Sequence, residues 1–472
     1  MNRISLCMIV RNEADIIERC LQNIGTLVDE IIIVDTGSTD RTVDVCKSYG
    51  ANIYKFNWKN DFSSARNESL AHASGEWILV LDADDELPVE SHLHIRRLVN
   101  EEPYDAFFFT TKNLVGDAQH PTILNYAQLR LFRSNLNFRY SGAIHELIPK
   151  VTSVKYKVVP SIFVIHRGYL DTMVQHHKKI YRNLSILDTE LMRRPMDISM
   201  YYYKGNEFLR AGKFTDAIHY YKQATTLERS KDQTPWLPEL PSKYAYALWQ
   251  MGDIKSAIEV IQQAIRDSPE YTDLWLLLGI LYLNQQHMDL AREAFSKCLQ
   301  LGEPSPIYPT QEGCGTYLPA FFQGVISLTD KNITDARADF EESCKYNSNY
   351  VPAAIQLCLC DWIEKKFESV HKRTQQLRKQ NFNEWTLDLL DRINESLMMK
   401  QIHINTDDPN HVASFLTCLS TLSLNGQTSL AAQLLCQLPL KIHVTAMKED
   451  WYYELLGEYH LTTIEVLKEL DA

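Results

Sequence analysis

The stretch of sequence that decides the fold reads Glu76-Trp-Ile-Leu-Val-Leu-Asp-Ala-Asp-Asp-Glu-Leu-Pro88. Its five apolar residues, 77–81, predict a short buried strand, and carboxylates begin where that strand ends. Open α/β sheets bind ligands at the carboxyl ends of their strands, so Asp82, Asp84 and Asp85 are expected together at one edge. Such a cluster repels itself unless a cation neutralises it, and oxygen ligands of this kind suit Mg²⁺ or Mn²⁺. For a lone Asp-x-Asp, an acidic turn that caps the next helix is the alternative.

Upstream of this stretch, predicted strands and helices alternate. Apolar runs predict strands at 4–10, 30–35 and 51–56, and helical spacing predicts the helices between them. The alternation predicts a nucleotide-binding α/β domain with a mostly parallel sheet. A Rossmann dehydrogenase would need Gly-x-Gly-x-x-Gly after the first strand, where this chain has Arg-Asn-Glu, and a P-loop is absent as well. Both alternatives are therefore excluded.

Four segments in order resemble the signature of family 2 glycosyltransferases. They are Leu-Cys-Met-Ile-Val-Arg-Asn-Glu at 6–13, Ile-Val-Asp-Thr-Gly-Ser-Thr-Asp at 33–40, Ala-Arg-Asn at 65–67 and Leu-Val-Leu-Asp-Ala-Asp-Asp at 79–85. The ordered set is far more specific than any one segment. The resemblance implies a GT-A fold and a nucleotide-sugar donor, with UDP as the default nucleotide.

The resemblance also implies roles for residues at the strand ends. Asp35 would accept a hydrogen bond from the nucleotide base, and its alternative role is to cap the following helix. Arg66 would face the diphosphate, whose oxygens match a guanidinium fork. Asp82 would face the ribose or the metal, Asp84 would bind the metal, and Asp85 would support it or cap a helix. The other residues expected at the donor pocket are Val10, Arg11, Glu13 and Ala83, with an exposed surface position as the alternative for Glu13.

Two later segments, 138–148 and 162–169, resemble the branch of family 2 that carries tetratricopeptide repeats, including the sublancin-type peptide S-glycosyltransferases. By this resemblance His166 is a candidate metal ligand beside Asp84, and a structural role is its alternative. Glu146 is the candidate base that takes the acceptor's proton in an inverting displacement, and a surface or salt-bridge glutamate is its alternative. Asp117, in a Gly-Asp loop, is the reserve candidate for the base. His145 would position Glu146, or contact the acceptor or the diphosphate.

The second half of the chain is predicted to be a helical solenoid. Small residues recur where two helices of a repeat must cross closely, and Ala257 and Ala291 stand one tetratricopeptide period of 34 residues apart. The loop at 302–319 is predicted to be an insertion between repeats. The expected domains are a GT-A domain at 1–170, a connecting helix with a solvated basic face at 171–198, tetratricopeptide-like repeats at 199–348 and a C-terminal helical capping region at 349–472.

Composition limits the class of protein. A net charge of −12 argues against a general nucleic-acid binder, and no apolar stretch has the length of a membrane span or a signal sequence. The ten cysteines are scattered through apolar patterns, which favours reduced thiols and a cytoplasmic location. An exposed face of the helical half would allow a homodimer.

These observations predict a metal-dependent, inverting glycosyltransferase. It would move a sugar from a nucleotide sugar to a peptide or protein acceptor recruited by the repeats. One alternative is a transferase of cell-surface glycan synthesis, in which the repeats serve assembly. The other is a non-catalytic repeat scaffold on a degenerate transferase domain, which would show a broken carboxylate cluster.

Overall fold

The computed structural model describes residues 2–116, 121–149, 153–170, 176–227, 238–305, 308–364, 366–379, 391 and 394. The chain forms two compact units, one of residues 1–281 with 303–314 and the other of residues 282–302 with those from 315 onward. The reserve candidate for the catalytic base, Asp117, lies outside the described residues, as does most of the predicted capping region. The boundaries of the four domains proposed above remain predictions.

The first unit opens with an α/β domain whose elements follow the predicted alternation. Its strands and helices are β1 (Ile4–Val10), α1 (Ile17–Ile24), β2 (Glu30–Asp35), α2 (Thr42–Ser48), β3 (Asn52–Lys55), α3 (Phe62–Ala71), β4 (Trp77–Val80), β5 (Asp85–Glu86), α4 (His92–Glu101), β6 (Ala106–Gly116), β7 (Thr122–Arg133) and β8 (Tyr156–Leu170). The apolar runs that predicted β1, β2 and β4 are buried almost throughout, which explains why they form the centre of the sheet.

The sheet runs in the order β3-β2-β1-β4-β7-β6-β8-β5. The first four strands are parallel, so their carboxyl ends meet at one edge, and Val10 of β1 lies in register with Asp35 of β2. Strand β7 joins β4 in the antiparallel sense, and β5 pairs with β8 so that Asp85 stands opposite His166. This topology brings the ends of β1, β2 and β4 and the middle of β8 to one site.

Helices follow the sheet, as predicted. They are α5 (His176–Arg193), α6 (Ile198–Arg210), α7 (Phe214–Thr226), α8 (Glu239–Gln250), α9 (Ile254–Asp267), α10 (Thr272–Asn284), α11 (Met288–Leu301), α12 (Tyr317–Thr329), α13 (Ile333–Tyr346), α14 (Val351–Ile363) and α15 (Phe367–Lys379). A Cβ on Gly205 would lie 2.5 Å from a ring carbon of Tyr221, and one on Gly324 would lie 2.6 Å from Phe340. Small residues therefore allow paired helices to approach closely, in α6–α7 and again in α12–α13. None of the helices in the described part of the chain combines the length and apolarity that a bilayer crossing requires.

The loop predicted as a plain insertion contains a further strand, β9 (Thr310–Gln311), which pairs with β7. Glu312 accepts hydrogen bonds from Lys112 (2.8 Å) and Asn125 (3.1 Å) of the sheet. The carboxylate of Asp273 in α10 accepts from the hydroxyl of Thr310 at 2.6 Å. A segment between repeat helices is thus built into the transferase sheet.

Candidate active site

Asp85 organises the turn that follows β4. Its Oδ2 accepts hydrogen bonds from the backbone N–H of Asp82 and from Arg130 of β7, each at 2.8 Å, and both charged side chains are buried. Its Oδ1 lies 3.0 Å from Nδ1 of His166. Of the two roles left open for Asp85, the structure shows support of the site rather than a helix cap.

Asp84 and His166 converge over Gly168. A Cβ on Gly168 would lie 2.3 Å from Oδ2 of Asp84 and 2.8 Å from Nε2 of His166, so both atoms face the space above the glycine. Ligand atoms of Asp84, Asp85 and His166 all lie within 4.8 Å of one another. Because Nδ1 of His166 faces Asp85, its Nε2 is the ring atom directed at this space, an arrangement typical of metal-binding histidines. Carboxylate oxygens with one imidazole nitrogen fit Mn²⁺ or Mg²⁺.

The electrostatics of this cluster favour a cation. Burial alone would lower the pKa of His166, but the carboxylates of Asp84 and Asp85 outweigh it and raise that pKa to about 9. Burial raises the pKa of Asp84, and the neighbouring Asp82 and Asp85 raise it further. A bound metal ion would supply more positive charge to these carboxylates than the proton on His166 does.

Arg66 joins two of the predicted site residues. Helix α3 starts at an N-cap, Asp61, whose side chain accepts the backbone N–H of Ser64 at 3.0 Å, and the helix places Arg66 one turn further on. Nη2 of Arg66 donates to Asp82 at 2.8 Å, and Nε donates to Glu146. Burial alone would raise the pKa of Asp82. The neighbouring guanidinium of Arg66 outweighs this effect and holds the pKa of Asp82 well below its usual range. The guanidinium predicted to face a diphosphate therefore pairs with carboxylates on either side.

The residues predicted for the nucleoside pocket lie at the ends of β1 and β2. Asp35 is buried, and its Oδ1 accepts the backbone N–H of Ser38 at 3.0 Å. Asp35 therefore holds the turn after β2 but does not cap the following helix, because α2 begins only at Thr42, with Arg41 at its N-cap. Burial raises the pKa of Glu13 to about 7, Lys179 acts against that shift, and Asp84 and Asp82 add to it. The remaining predicted residues are the buried Val10, the exposed Arg11 and the buried Ala83.

Glu146 and His145 have different surroundings. The side chain of Glu146 is 10% exposed and pairs with Arg66 at the site. His145 has a left-handed backbone (φ 52°) and stacks on Tyr203 of α6, with ring centroids 3.7 Å apart. Burial, with smaller effects of Arg210 and Lys243, lowers the pKa of His145 to about 3. His145 thus contacts a repeat helix as a neutral ring, while Glu146 faces the carboxylate cluster.

Several residues of the site are not predicted from the sequence. Arg130 lies on β7 and is buried next to the buried Leu131, a position that its charged residue type does not predict. Gly168 follows His166 by two residues, but only the three-dimensional structure shows that it lies against the side chains of Asp84 and His166. Lys179 was predicted on a solvated face but is half-buried and acts electrostatically on Glu13 and Asp84. The side chains of its neighbours at 176–178 lie outside the described residues.

Comparison with known proteins agrees with this architecture. Residues 5–163 match the model of glycosyl transferase family 2, and residues 198–231 and 244–306 match tetratricopeptide repeat models. A TPR repeat-containing protein of Synechococcus elongatus is 31% identical over 306 residues, which cover 62% of this chain and 74% of that protein.

A second relative is named as an enzyme. The SPbeta prophage-derived glycosyltransferase SunS of Bacillus subtilis is 29% identical over 243 residues, covering 49% of this chain and 56% of SunS, so the match spans about half of that protein. A solved tetratricopeptide repeat protein of Parabacteroides merdae aligns with 55% of this chain and 97% of its own, at 14% identity and a TM-score of 0.38. The chain therefore carries a family 2 glycosyltransferase domain, matched over residues 5–163, followed by tetratricopeptide repeats.

Proposed function

We propose that this glycosyltransferase moves a sugar from a UDP-sugar to a hydroxyl or thiol of a peptide or protein, with inversion and with Mg²⁺ or Mn²⁺ bound. The observation that carries the proposal is the convergence of Asp84 and His166 over Gly168, next to an arginine that joins Asp82 to Glu146. A scaffold on a degenerate domain would be expected to have lost part of this cluster.

Asp84 and His166 would hold the metal ion, and Asp85 would orient the imidazole through its Nδ1. When bound, a divalent ion in such a site neutralises the diphosphate as the bond between sugar and phosphate breaks. Arg130 keeps Asp85 in place from the opposite side. The site therefore depends on the buried ion pair between Arg130 and Asp85.

Glu146 is the candidate base, and its pairing with Arg66 suggests how it becomes available. Diphosphate oxygens match the fork of a guanidinium, so a bound donor would compete with Glu146 for Arg66. The carboxylate released in this way would accept the acceptor's proton. As the acceptor oxygen or sulfur bonds to the anomeric carbon, the bond from that carbon to the phosphate oxygen breaks and UDP leaves.

The choice of a peptide or protein acceptor rests on the repeats. Tetratricopeptide arrays present extended concave surfaces that suit peptide segments. The resemblance of segments 138–148 and 162–169 to sublancin-type peptide S-glycosyltransferases favours the same class of acceptor. A glycan acceptor is the competing outcome.

Thermal melting with nucleotide sugars tests the donor and metal parts of the proposal. The purified chain would be heated with UDP-glucose, UDP-N-acetylglucosamine, GDP-mannose and dTDP-glucose, each with and without Mn²⁺. A ligand that binds only the folded state stabilises it by about 2.7 kcal/mol at 100 times its dissociation constant. We expect a Mn²⁺-dependent rise in melting temperature with a UDP-sugar.

Two carboxylate-to-amide variants make the result specific. Asp84→Asn should abolish the Mn²⁺-dependent shift, while Asp44→Asn, at an exposed position on α2, should retain it. A shift that persists in Asp84→Asn would remove this residue from the metal site. No shift of the wild-type chain with any nucleotide would leave the scaffold as the better account.

A further inference from the structure

Helix α5 lies against two elements of the active site. Its buried residues Ile186 and Leu187 pack in one apolar cluster with Ile144, which is two residues before the candidate base. Phe62, the first residue of α3, packs against the same cluster. This helix, which follows the transferase sheet in sequence, is therefore held next to the helix that carries Arg66 and the loop that carries Glu146.

Arg182 of α5 is linked to the first repeat helix through Asn183. Its Nε and Nη2 donate to Oδ1 of Asn183 at 3.1 and 3.0 Å, and Nδ2 of Asn183 donates to Oε1 of Glu207 at 3.1 Å. Glu207 of α6 is fully buried and also accepts from Arg210 at 2.8 Å. The guanidinium of Arg182 lies over the ring of Phe62, 5.0 Å from its centroid. These contacts fix a cation at the N-terminal end of α3.

The charge of Arg182 is not neutralised by direct contact with Glu207, because the neutral amide of Asn183 stands between them. Burial lowers the pKa of Arg182, and the nearby Arg11 lowers it further while Glu207 opposes both. An anion brought close to this guanidinium would relieve the unfavourable burial of its charge.

Lys179 stands three residues before Arg182 and therefore on the same side of α5. Its ammonium group acts on Glu13, at the end of β1, and on the candidate metal ligand Asp84. Arg182 lies close enough to Arg11 and Glu13 for its charge to be repelled by the first and attracted by the second. Both cations thus act on the end of β1, and Lys179 also acts on the aspartate proposed to bind the metal.

The two arginines within the carboxylate cluster are already paired with carboxylates. Arg66 contacts Asp82 and Glu146, and Arg130 contacts Asp85. A nucleoside diphosphate adds further negative charge to this cluster of carboxylates, so positive charge beyond that of Arg66 and a bound divalent ion would strengthen its binding. Lys179 and Arg182 are placed to supply it.

We propose that Lys179 and Arg182 of helix α5 form a binding subsite for the diphosphate of the donor, so that the catalytic domain alone lacks part of its donor site. This inference rests on the proposed function. Asn183 accepts from Arg182 and donates to Glu207, so the position of Arg182 depends on the first repeat helix.

Calorimetric titration of the full chain with UDP and with uridine, in the presence of Mn²⁺, tests the subsite. Uridine lacks the diphosphate, so it reports on the nucleoside pocket alone. Lys179→Met and Arg182→Met should each raise the dissociation constant of UDP by about 10- to 100-fold, as expected for losing a charge-assisted contact, and leave that of uridine unchanged. Arg193→Met removes a charge from the exposed end of the same helix and should leave both constants unchanged.

The outcomes separate the subsite from the proposed function. An unchanged UDP constant in both variants, or an equal loss for UDP and uridine, would overturn the subsite while leaving a UDP-dependent enzyme. A wild-type chain that binds neither compound would overturn the UDP donor, and the subsite with it. Since Arg182 packs on Phe62, melting of each ligand-free variant shows whether it is folded. Arg182→Lys, which keeps the charge, should restore most of the UDP affinity.

Discussion

Replacing Gly168 by alanine tests whether Asp84 and His166 act as one metal site. The new Cβ would lie 2.3 Å from Oδ2 of Asp84 and 2.8 Å from Nε2 of His166. Ordinary carbon–oxygen contacts are about 3.3 to 3.6 Å, so the carboxylate would have to retreat by about 1 Å. The substitution therefore moves a candidate ligand without removing any ligand atom.

The size of the expected effect follows from the tolerance of metal sites. Ligand distances vary by only about 0.2 Å around their preferred values, so a displacement of about 1 Å breaks the coordination. Changes to residues that support metal ligands typically weaken metal binding by about 10- to 100-fold. We expect a loss in that range for Mn²⁺, with a parallel loss of UDP-sugar binding.

The assay is calorimetric titration of Mn²⁺ into the chain saturated with UDP. Gly205→Ala is the matched control, because its Cβ would lie 2.5 Å from a ring carbon of Tyr221 within the repeats. This control should lower the melting temperature and leave Mn²⁺ binding intact. A Gly168→Ala protein that binds Mn²⁺ as tightly as the wild type would refute the assignment of Asp84 and His166 as ligands.

Three further predictions concern the base, the repeat contact and pH. Glu146→Gln should lower the rate of sugar transfer by about 10²- to 10⁴-fold in steady-state assays while UDP affinity stays within a few-fold, and a normal rate would exclude Glu146 as the base. Tyr203→Ala should lower kcat more than it changes KM, since it removes the ring stacked on His145, whereas Tyr203→Phe should be nearly normal; equal behaviour of the two would argue against a positioning role for the stack. Burial raises the pKa of Asp273 to about 7, so the folded chain holds this proton more tightly than the unfolded chain. Its contribution to stability is therefore complete below about pH 4 and is lost as the pH rises to about 7, and melting temperatures of Asp273→Asn should lack this component of the pH dependence seen in the wild type.

The sequence was sufficient for the parallel part of the sheet and for the strand ends that carry the site. Continuous apolar runs made β1, β2 and β4 evident, because strands buried on both faces require them. The carboxylates after β4 could be placed at the sheet edge for the same reason. The different roles of Asp84 and Asp85 could not be predicted. They depend on the contacts that Arg130 of β7 and His166 of β8 make with Asp85.

The contacts between the repeats and the transferase sheet were beyond sequence reasoning. Strand β9 has only two residues, too few for any periodicity, and pairs with residues of β7 far away in sequence. The left-handed backbone of His145 has a signal neither in its own residue type nor in the distant Tyr203. Helical periodicity predicts a solvated face for Lys179, because periodicity cannot tell a face toward water from a face toward a polar site. In each case tertiary contacts decide the outcome.

The measurement that tests the central claim most directly is the release of UDP from a UDP-sugar in the presence of peptides containing serine, threonine and cysteine. The wild-type chain should release UDP in a Mn²⁺-dependent manner and increase the mass of a peptide by one sugar. Asp84→Asn should do neither, while Asp44→Asn should match the wild type. If the wild-type chain consumes no UDP-sugar with Mn²⁺ present, or if Asp84→Asn is as active as the wild type, the proposed chemistry is contradicted.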